Sequence, residues 1–268
     1  MRRVTNSLVR YIAIACAGTL VLILTLPLVG LLHSLTGESF IAALHAPLVL
    51  PALKLSAMTT GLSLGIVVTL GTPLSWLLAR SHGRLTRVVE TLVSLPVVVP
   101  PAVAGVAMLL AFGRHGLLSG ILYPKGWSIS FTTGAVVLAE VFVSAPFFVQ
   151  AATHAFRQID ENLLHVGRTL GASPLRIVTQ ITLPLAAPGL VAGAAMSWAR
   201  SLGEFGATML FAGNLPGKTQ TLPLAIYTAL ESDTRVAQAL SLLLLGFALL
   251  VFLVIRTTHV SPALGRGE

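Results

Sequence analysis

The stretch AFRQIDENLLHVGRTLGASPLRIVTQITLP, residues Ala155–Pro184, lies between two long apolar runs and is too polar to continue either. Phe156, Ile159, Leu163, Val166 and Leu170 fall at steps of three and four, which predicts one apolar stripe on a helix. Asp160 and Glu161 sit early, where the helix dipole favours anions. Gly171 is placed to end the helix as its C′ residue. Ser173 then reads as an N-cap and Pro174 as the first position of a second helix, with Leu175, Val178 and Ile181 continuing an apolar face. Pro184 marks the entry into the next apolar run. A surface element with an apolar stripe needs something to bury it. The membrane interface and a groove on another protein answer that need equally well.

Working outward, a membrane-spanning helix needs about 20 apolar residues. Six stretches qualify: Tyr11–Leu32, Leu53–Leu78, Leu92–Phe112, Ser130–Ala152, Leu183–Leu202 and Ala237–Ile255. Composition agrees. Of 268 residues, 55% are hydrophobic and only 10% are Asp, Glu, Lys or Arg, against about 25% charged in soluble domains, and the mean hydropathy is +0.89. The fold class expected is an all-α integral membrane protein of about six helices, residues 1–268 forming a single domain. The run from Tyr11 is too long for a signal-peptide core of roughly 7–15 residues and no small-residue cleavage site follows, so it reads as an uncleaved helix.

The net charge of +8 does not point to nucleic acid, because the basic residues form no stripe interleaved with aromatics. They cluster between the apolar runs. With both termini cytoplasmic, Arg2, Arg3, Arg10, Arg80, Arg84, Arg87, Arg157, Arg168, Arg176, Arg256 and Arg266 fall inside. Lys54, Arg114, Lys125, Arg200, Lys218 and Arg235 fall outside, offset by Glu38, Glu204, Glu231 and Asp233. Positive charge on the inner side favours this orientation. The single cysteine, Cys16, excludes an internal disulfide and reads as an inert thiol.

Gly171, nine residues, then Ile181-Thr182-Leu183-Pro184 resembles the cytoplasmic loop signature of ABC importer permeases. Where that family usually has Glu-Ala-Ala, this chain has His165-Val166-Gly167. The likeness extends along the chain. Leu95–Gly105 (LPVVVPPAVAG) and Phe112–Gly116 (FGRHG) resemble the third helix of molybdate and sulfate permeases. Ser201–Thr208 (SLGEFGAT) resembles the membrane hairpin after the fifth helix, and Ala212–Tyr227 (AGNLPGKTQTLPLAIY) resembles the molybdate branch in particular.

The resemblance implies a permease subunit of an ATP-driven importer for molybdate or tungstate in the inner membrane, with a sulfate/thiosulfate permease as the near alternative. It implies a second copy of the chain, an ABC ATPase subunit carrying ATP and Mg, and a soluble oxyanion-binding protein. The ATPase would dock on a coupling helix in the 155–184 loop, at Leu163, His165, Val166, Gly167, Leu170, Gly171, Ala172, Ser173 and Pro174.

For the pore or its hairpin the candidates are Pro96, Pro100, Pro101, Arg200, Gly203, Glu204, Phe205 and Gly206. Proline removes a backbone donor, so at membrane depth Pro96, Pro100 and Pro101 mark either a kinked helix start or a wide stretch of a translocation path. Arg200 lies one helical turn before Glu204, so the two read as an ion pair bracing a hairpin or as groups at the pore. Glu140, mid-way along the fourth run, has no partner visible in the sequence. The small-residue stripe Gly189, Gly193, Ser197, Ser201 and the pair Gly61, Gly65 predict close helix approach, either for packing or at a pore or subunit face. Arg114, Lys125 and Lys218 read as ordinary loop charges or as an outer surface for an anion or an acidic partner.

The chain has no G-x-x-x-x-G-K-[ST] phosphate loop and its seven His lack metal-ligand spacing. It is therefore expected to hold no cofactor and to do no ATP hydrolysis of its own. A stand-alone secondary anion transporter, the reading from another class, predicts paired mid-membrane ionisable groups and inverted repeats.

Overall fold

The computed structural model describes residues 2–33, 37–122, 124 and 128–258. Lys125 and Arg266 lie outside the described residues, as do the side chains of Arg2, Arg3, Glu38 and Arg256. Among the described residues, five helices are long and apolar enough to cross a membrane: α1 (Arg2–His33), α3 (Val49–Arg80), α7 (Thr133–Arg157), α10 (Leu183–Leu202, continuous with the segment from Pro174) and α13 (Thr234–Thr258). Shorter helices fill the connections: α2 (Gly37–Leu44), α4 (Arg84–Val98), α5 (Pro101–Phe112), α6 (Ser119–Leu122), α8 (Glu161–Thr169), α9 (Pro174–Ile177), α11 (Gly206–Phe211) and α12 (Leu222–Ser232).

One expected span is not a helix. The run Leu92–Phe112 is divided between α4 and α5, which are bent by 117° at Val99 and Pro100. The cause is local. Pro100 and Pro101 supply no N–H to bond back into α4, and each restricts the residue before it to extended backbone. Val99 and Pro100 duly have ψ of 124° and 140°. The same prolines make the break tolerable at membrane depth, because they leave no donor there to be orphaned. Together α4 and α5 are apolar enough for a sixth crossing, as a broken span or a re-entrant loop, and the kink foreseen there is a complete interruption.

The heart of the molecule is α7 packed between α3 and α10. Phe148, Ala152 and Phe156 of α7 are fully buried with Val67 and Leu78 of α3 and Ala186 of α10. Glycines set the spacing. A Cβ on Gly193 would stand 2.9 Å from Ala151 Cβ and 3.3 Å from the Phe148 carbonyl, and one on Gly71 would stand 2.8 Å from the Phe148 ring. Gly189 and Gly193 of the stripe thus pack against α7, and Ser197 and Ser201 are buried. Gly61 and Gly65, in contrast, meet nothing within 4 Å, so they give no close approach inside this chain. α1 is exposed along its described side chains except at the half-buried Leu31, and it touches only α13 among the stronger helix contacts.

The two ends of the bundle differ in charge. At one end, Arg157 bonds the Leu78 carbonyl at 3.3 Å and pairs with Glu90, while Arg80 reaches Glu161 at 3.5 Å. Arg80, Arg84, Arg87, Arg157, Arg168 and Arg176 gather there on the ends of α3 and α7, the start of α4, and α8–α9. At the other end Thr133 bonds the Lys218 carbonyl at 2.9 Å, so Lys218 sits where α7 begins.

Candidate functional site: an exposed helical elbow and a broken membrane hairpin

The elbow is α8 and α9. Asp160 caps α8 by accepting from Asn162 N at 2.9 Å. Gly171 has φ +80°, a left-handed backbone that only glycine adopts freely. Gly171 N bonds Arg168 O and Ala172 N bonds Gly167 O, both at 3.0 Å, closing the helix as the expected C′ glycine should. Ser173 accepts from Arg176 N at 3.3 Å, and Pro174 opens α9. A single π turn, Val178–Thr182, joins α9 to α10 without a loop.

The stripe itself is corrected in one respect. It was expected to run unbroken from Phe156 to Leu170. Instead α7 continues to Arg157, the chain turns at Gln158–Asp160, and α8 starts afresh. Phe156 and Ile159 are buried in the core, whereas Leu163, Val166 and Leu170 stand on the outside, 49%, 55% and 82% exposed. Leu175 is exposed as well, while Val178 and Ile181 turn inward, so the second helix does not carry one continuous apolar face. Gly167 is buried because Ile181 lies against it: a Cβ there would come 3.2 Å from Ile181 Cδ1. His165 and Ala172 complete the elbow; His165 faces a cavity under α8, and Ala172 packs partly on the core.

The hairpin lies in the half of the molecule toward Lys218. α10 ends at Leu202, capped by Gly203, and α11 begins at Gly206, with Glu204 and Phe205 completing the three-residue link. Glu204 is nearly inaccessible, with 1% of its side chain exposed. One carboxylate oxygen takes Arg200 Nη1 at 2.9 Å and the other takes Ala207 N at 2.8 Å. The expected pair is present, and the same carboxylate also caps α11. Phe205 stacks at a tilt on Tyr227, 5.5 Å between centroids. α11 presses on α5: a Cβ on Gly206 would stand 2.6 Å from Pro101 Cβ, and one on Gly105 would stand 2.8 Å from Leu210 Cβ. So the structure brings Pro101 together with Gly206, while Pro96 lies within α4 on the far side of the break.

Two features escaped the sequence. Glu140 does have a partner, since Thr59 of α3 donates to its Oε1 at 2.8 Å across a separation of 81 residues. Around it lies a polar seam: Ser56, Thr60, Ser63 and Ser144 are buried, and Ser56 Oγ accepts from Leu222 N at 2.7 Å, tying α12 to α3. Neither contact has a local sequence signal. Near the Lys218 end, Arg114 and His115 line an open cleft of about 650 Å³ with Ser119, Gly120 and Pro124. Among the described residues no group of three or more His, Cys, Asp or Glu is placed to hold a metal ion.

Residues 71–265 match the family model described as binding-protein-dependent transport system inner membrane component. The chain is similar to the molybdenum transport system permease protein ModB of Mycobacterium tuberculosis, 45% identical over 239 residues that cover 89% of this chain and 90% of that one. It is similar to ModB of Escherichia coli K12, 36% identical over 199 residues covering 74% and 87% of the two chains. It is also similar to the probable transport system permease protein NifC of Clostridium pasteurianum, 34% identical over 234 residues covering 87% and 82%. Among solved structures it superposes on a bacterial ABC transporter involved in import of the acidic polysaccharide alginate, with TM-score 0.76, 17% identity and 96% coverage of both chains. It also superposes on the inward-facing MetNI methionine ABC transporter, with TM-score 0.63, 22% identity and coverage of 79% and 94%. At such identities the structures bear on the fold alone.

Proposed function

Because the chain belongs to the family of binding-protein-dependent transport system inner membrane components, we propose that it is the membrane subunit of an ATP-driven importer of molybdate, with tungstate as a congener. The observation that carries the substrate is the 45% identity to ModB over nearly the whole chain. The chain supplies the path. ATP and Mg belong to a partner ATPase, consistent with the lack of a phosphate loop in this sequence.

The exposed face Leu163, Val166, Leu170 is the docking surface for that ATPase. Three large apolar side chains on one helical face, held out of the core by a capped and glycine-stopped helix, fit a groove on a partner better than bulk water. The basic end carrying α8 is the cytoplasmic one and both termini lie on that side, by the excess of Arg there. The Lys218 end faces outward, where a soluble oxyanion-binding protein delivers the cargo, and two copies of the chain enclose one path. Closure of the ATPase pair on ATP moves α8–α9, and each state of the path is favoured by the ligand that binds it better.

The test is reconstitution. The chain, its ATPase and its binding protein are placed in liposomes, and ATP-dependent uptake of labelled molybdate is measured with tungstate and sulfate as competitors. Uptake that needs all three components and is lost on deletion of 163–173 is the expected result. Competition by sulfate as strong as by tungstate moves the substrate to the sulfate/thiosulfate class. Uptake by this chain alone without ATP overturns the proposal in favour of a secondary transporter.

A further inference from the structure

α8 is amphipathic the wrong way round for a helix lying on a protein. On a helical wheel Leu163, Val166 and Leu170 share one face, and it points away from the molecule. Glu161, Leu164, His165 and Arg168 share the opposite face, which points toward the bundle. Only Leu164 of these is buried. Between the three polar side chains and the base of α3 lies a cavity of about 450 Å³, lined also by Trp76, Arg80, Pro174, Ile177, Val178 and Thr182. A single water needs only ~10–15 Å³ of such space.

The cavity is cationic. Arg80 and Arg168 face it against the single carboxylate of Glu161. That carboxylate does not satisfy Arg80. It stands 3.5 Å from Nη1 on a side chain that is 70% exposed, so the pair is weak and screened. Arg80 Nη2 is buried and has no hydrogen-bond partner. A guanidinium presents its donors as a planar fork that matches two oxygens of a phosphate or carboxylate. An unmet buried donor on such a group, beside a second guanidinium, calls for an acceptor that carries negative charge.

We infer that the cavity beneath α8 is a binding site for a tetrahedral oxyanion, held by Arg80 and Arg168 with His165 beside them. The same chemistry has two sources at this end of the molecule: a free oxyanion such as phosphate or molybdate, and the phosphate of an anionic phospholipid. Either occupant bridges α8 to the last turn of α3. It therefore sits directly behind the proposed docking face and stiffens it. The inference concerns binding alone and stands or falls independently of transport.

Trp76 makes the site observable. The chain has three tryptophans, so Trp127→Phe with Trp198→Phe leaves Trp76 as the sole indole beside the cavity. The full-length chain in detergent is titrated with sodium phosphate or sodium molybdate at constant ionic strength. In parallel it is placed in nanodiscs of phosphatidylcholine with and without phosphatidylglycerol. A saturable change in Trp76 emission is expected in at least one arm, and the arm that responds identifies the source. Arg168→Gln, at an exposed position that tolerates change, should weaken the response at least tenfold, and Arg80→Gln should do the same. Unchanged emission in both arms, or an Arg168→Gln chain that titrates like the parent, overturns the site.

Discussion

Both oxygens of the Glu204 carboxylate are occupied, one by Arg200 and one by the backbone of Ala207. The two bonds do different work. The ion pair offsets the cost of a charge that is almost wholly withdrawn from solvent, and the backbone bond starts α11. Glu204→Ala removes both and leaves Arg200 without its partner, which should cost about 3 kcal/mol. Glu204→Gln keeps an acceptor for Ala207 N and carries no charge, so its loss should be smaller. Thermal unfolding of the detergent-solubilised chain checks the order; equal melting temperatures for the two variants would mean that the Ala207 bond contributes nothing. Thr59→Val is the matching test at the seam. It strips the donor from the buried Glu140 Oε1 and should cost about 1–3 kcal/mol, read in the same melts. The Arg200–Glu204 pair was legible because its partners are one helical turn apart. The Thr59–Glu140 bond was not, because nothing local links residues on α3 and α7.

Elements were legible where termination is chemical. The end of the fifth span at Leu202 was placed correctly, although its start runs back without a break to Pro174, and the stop at Gly171 and restart at Ser173-Pro174 were readable because capping is local. Apolar content, by contrast, fixes how much chain prefers lipid and not its direction, so Leu92–Phe112 counted as a span although Pro100 and Pro101 turn it by 117°. Likewise the even beat from Phe156 to Leu170 hid a turn at Gln158–Asp160, because a three-residue turn left the spacing intact. Two predictions belong here. Changing Leu163, Val166 and Leu170 together to Gln touches only exposed side chains, so melting should shift by no more than about 0.5 kcal/mol per site. Co-purification of the ATPase should nevertheless be lost; a triple variant that still brings the ATPase down removes the docking face from the proposal. Gly206→Ala forces a methyl into Pro101 and should cost about 1–3 kcal/mol through overpacking. Gly61→Ala, on an open face, should leave the melt of the isolated chain where it was; a comparable drop for both would show that the α5–α11 approach is not what the glycine protects.

At the scale of the molecule, the orientation proposed from the charge asymmetry of the ends can be checked by labelling. Cys16→Ser gives a cysteine-free background, since Cys16 is the only cysteine. Lys218→Cys should then react with an impermeant maleimide in intact spheroplasts, and Arg176→Cys only in inverted vesicles. The reverse pattern would place α8 outside. One consequence concerns how force travels. The π turn at Val178–Thr182 joins α9 to α10 with no loop between them. The elbow and a helix of about 30 Å are therefore a single lever, whose far end is bolted by Arg200 to the carboxylate that starts α11, which in turn bears on Pro101. A displacement applied at the elbow travels as backbone along α9 and α10 and passes to α5 only at its far end, through one ion pair and the contact of Gly206 with Pro101. Such a shaft tolerates substitution along its surface and fails where a joint is cut into it.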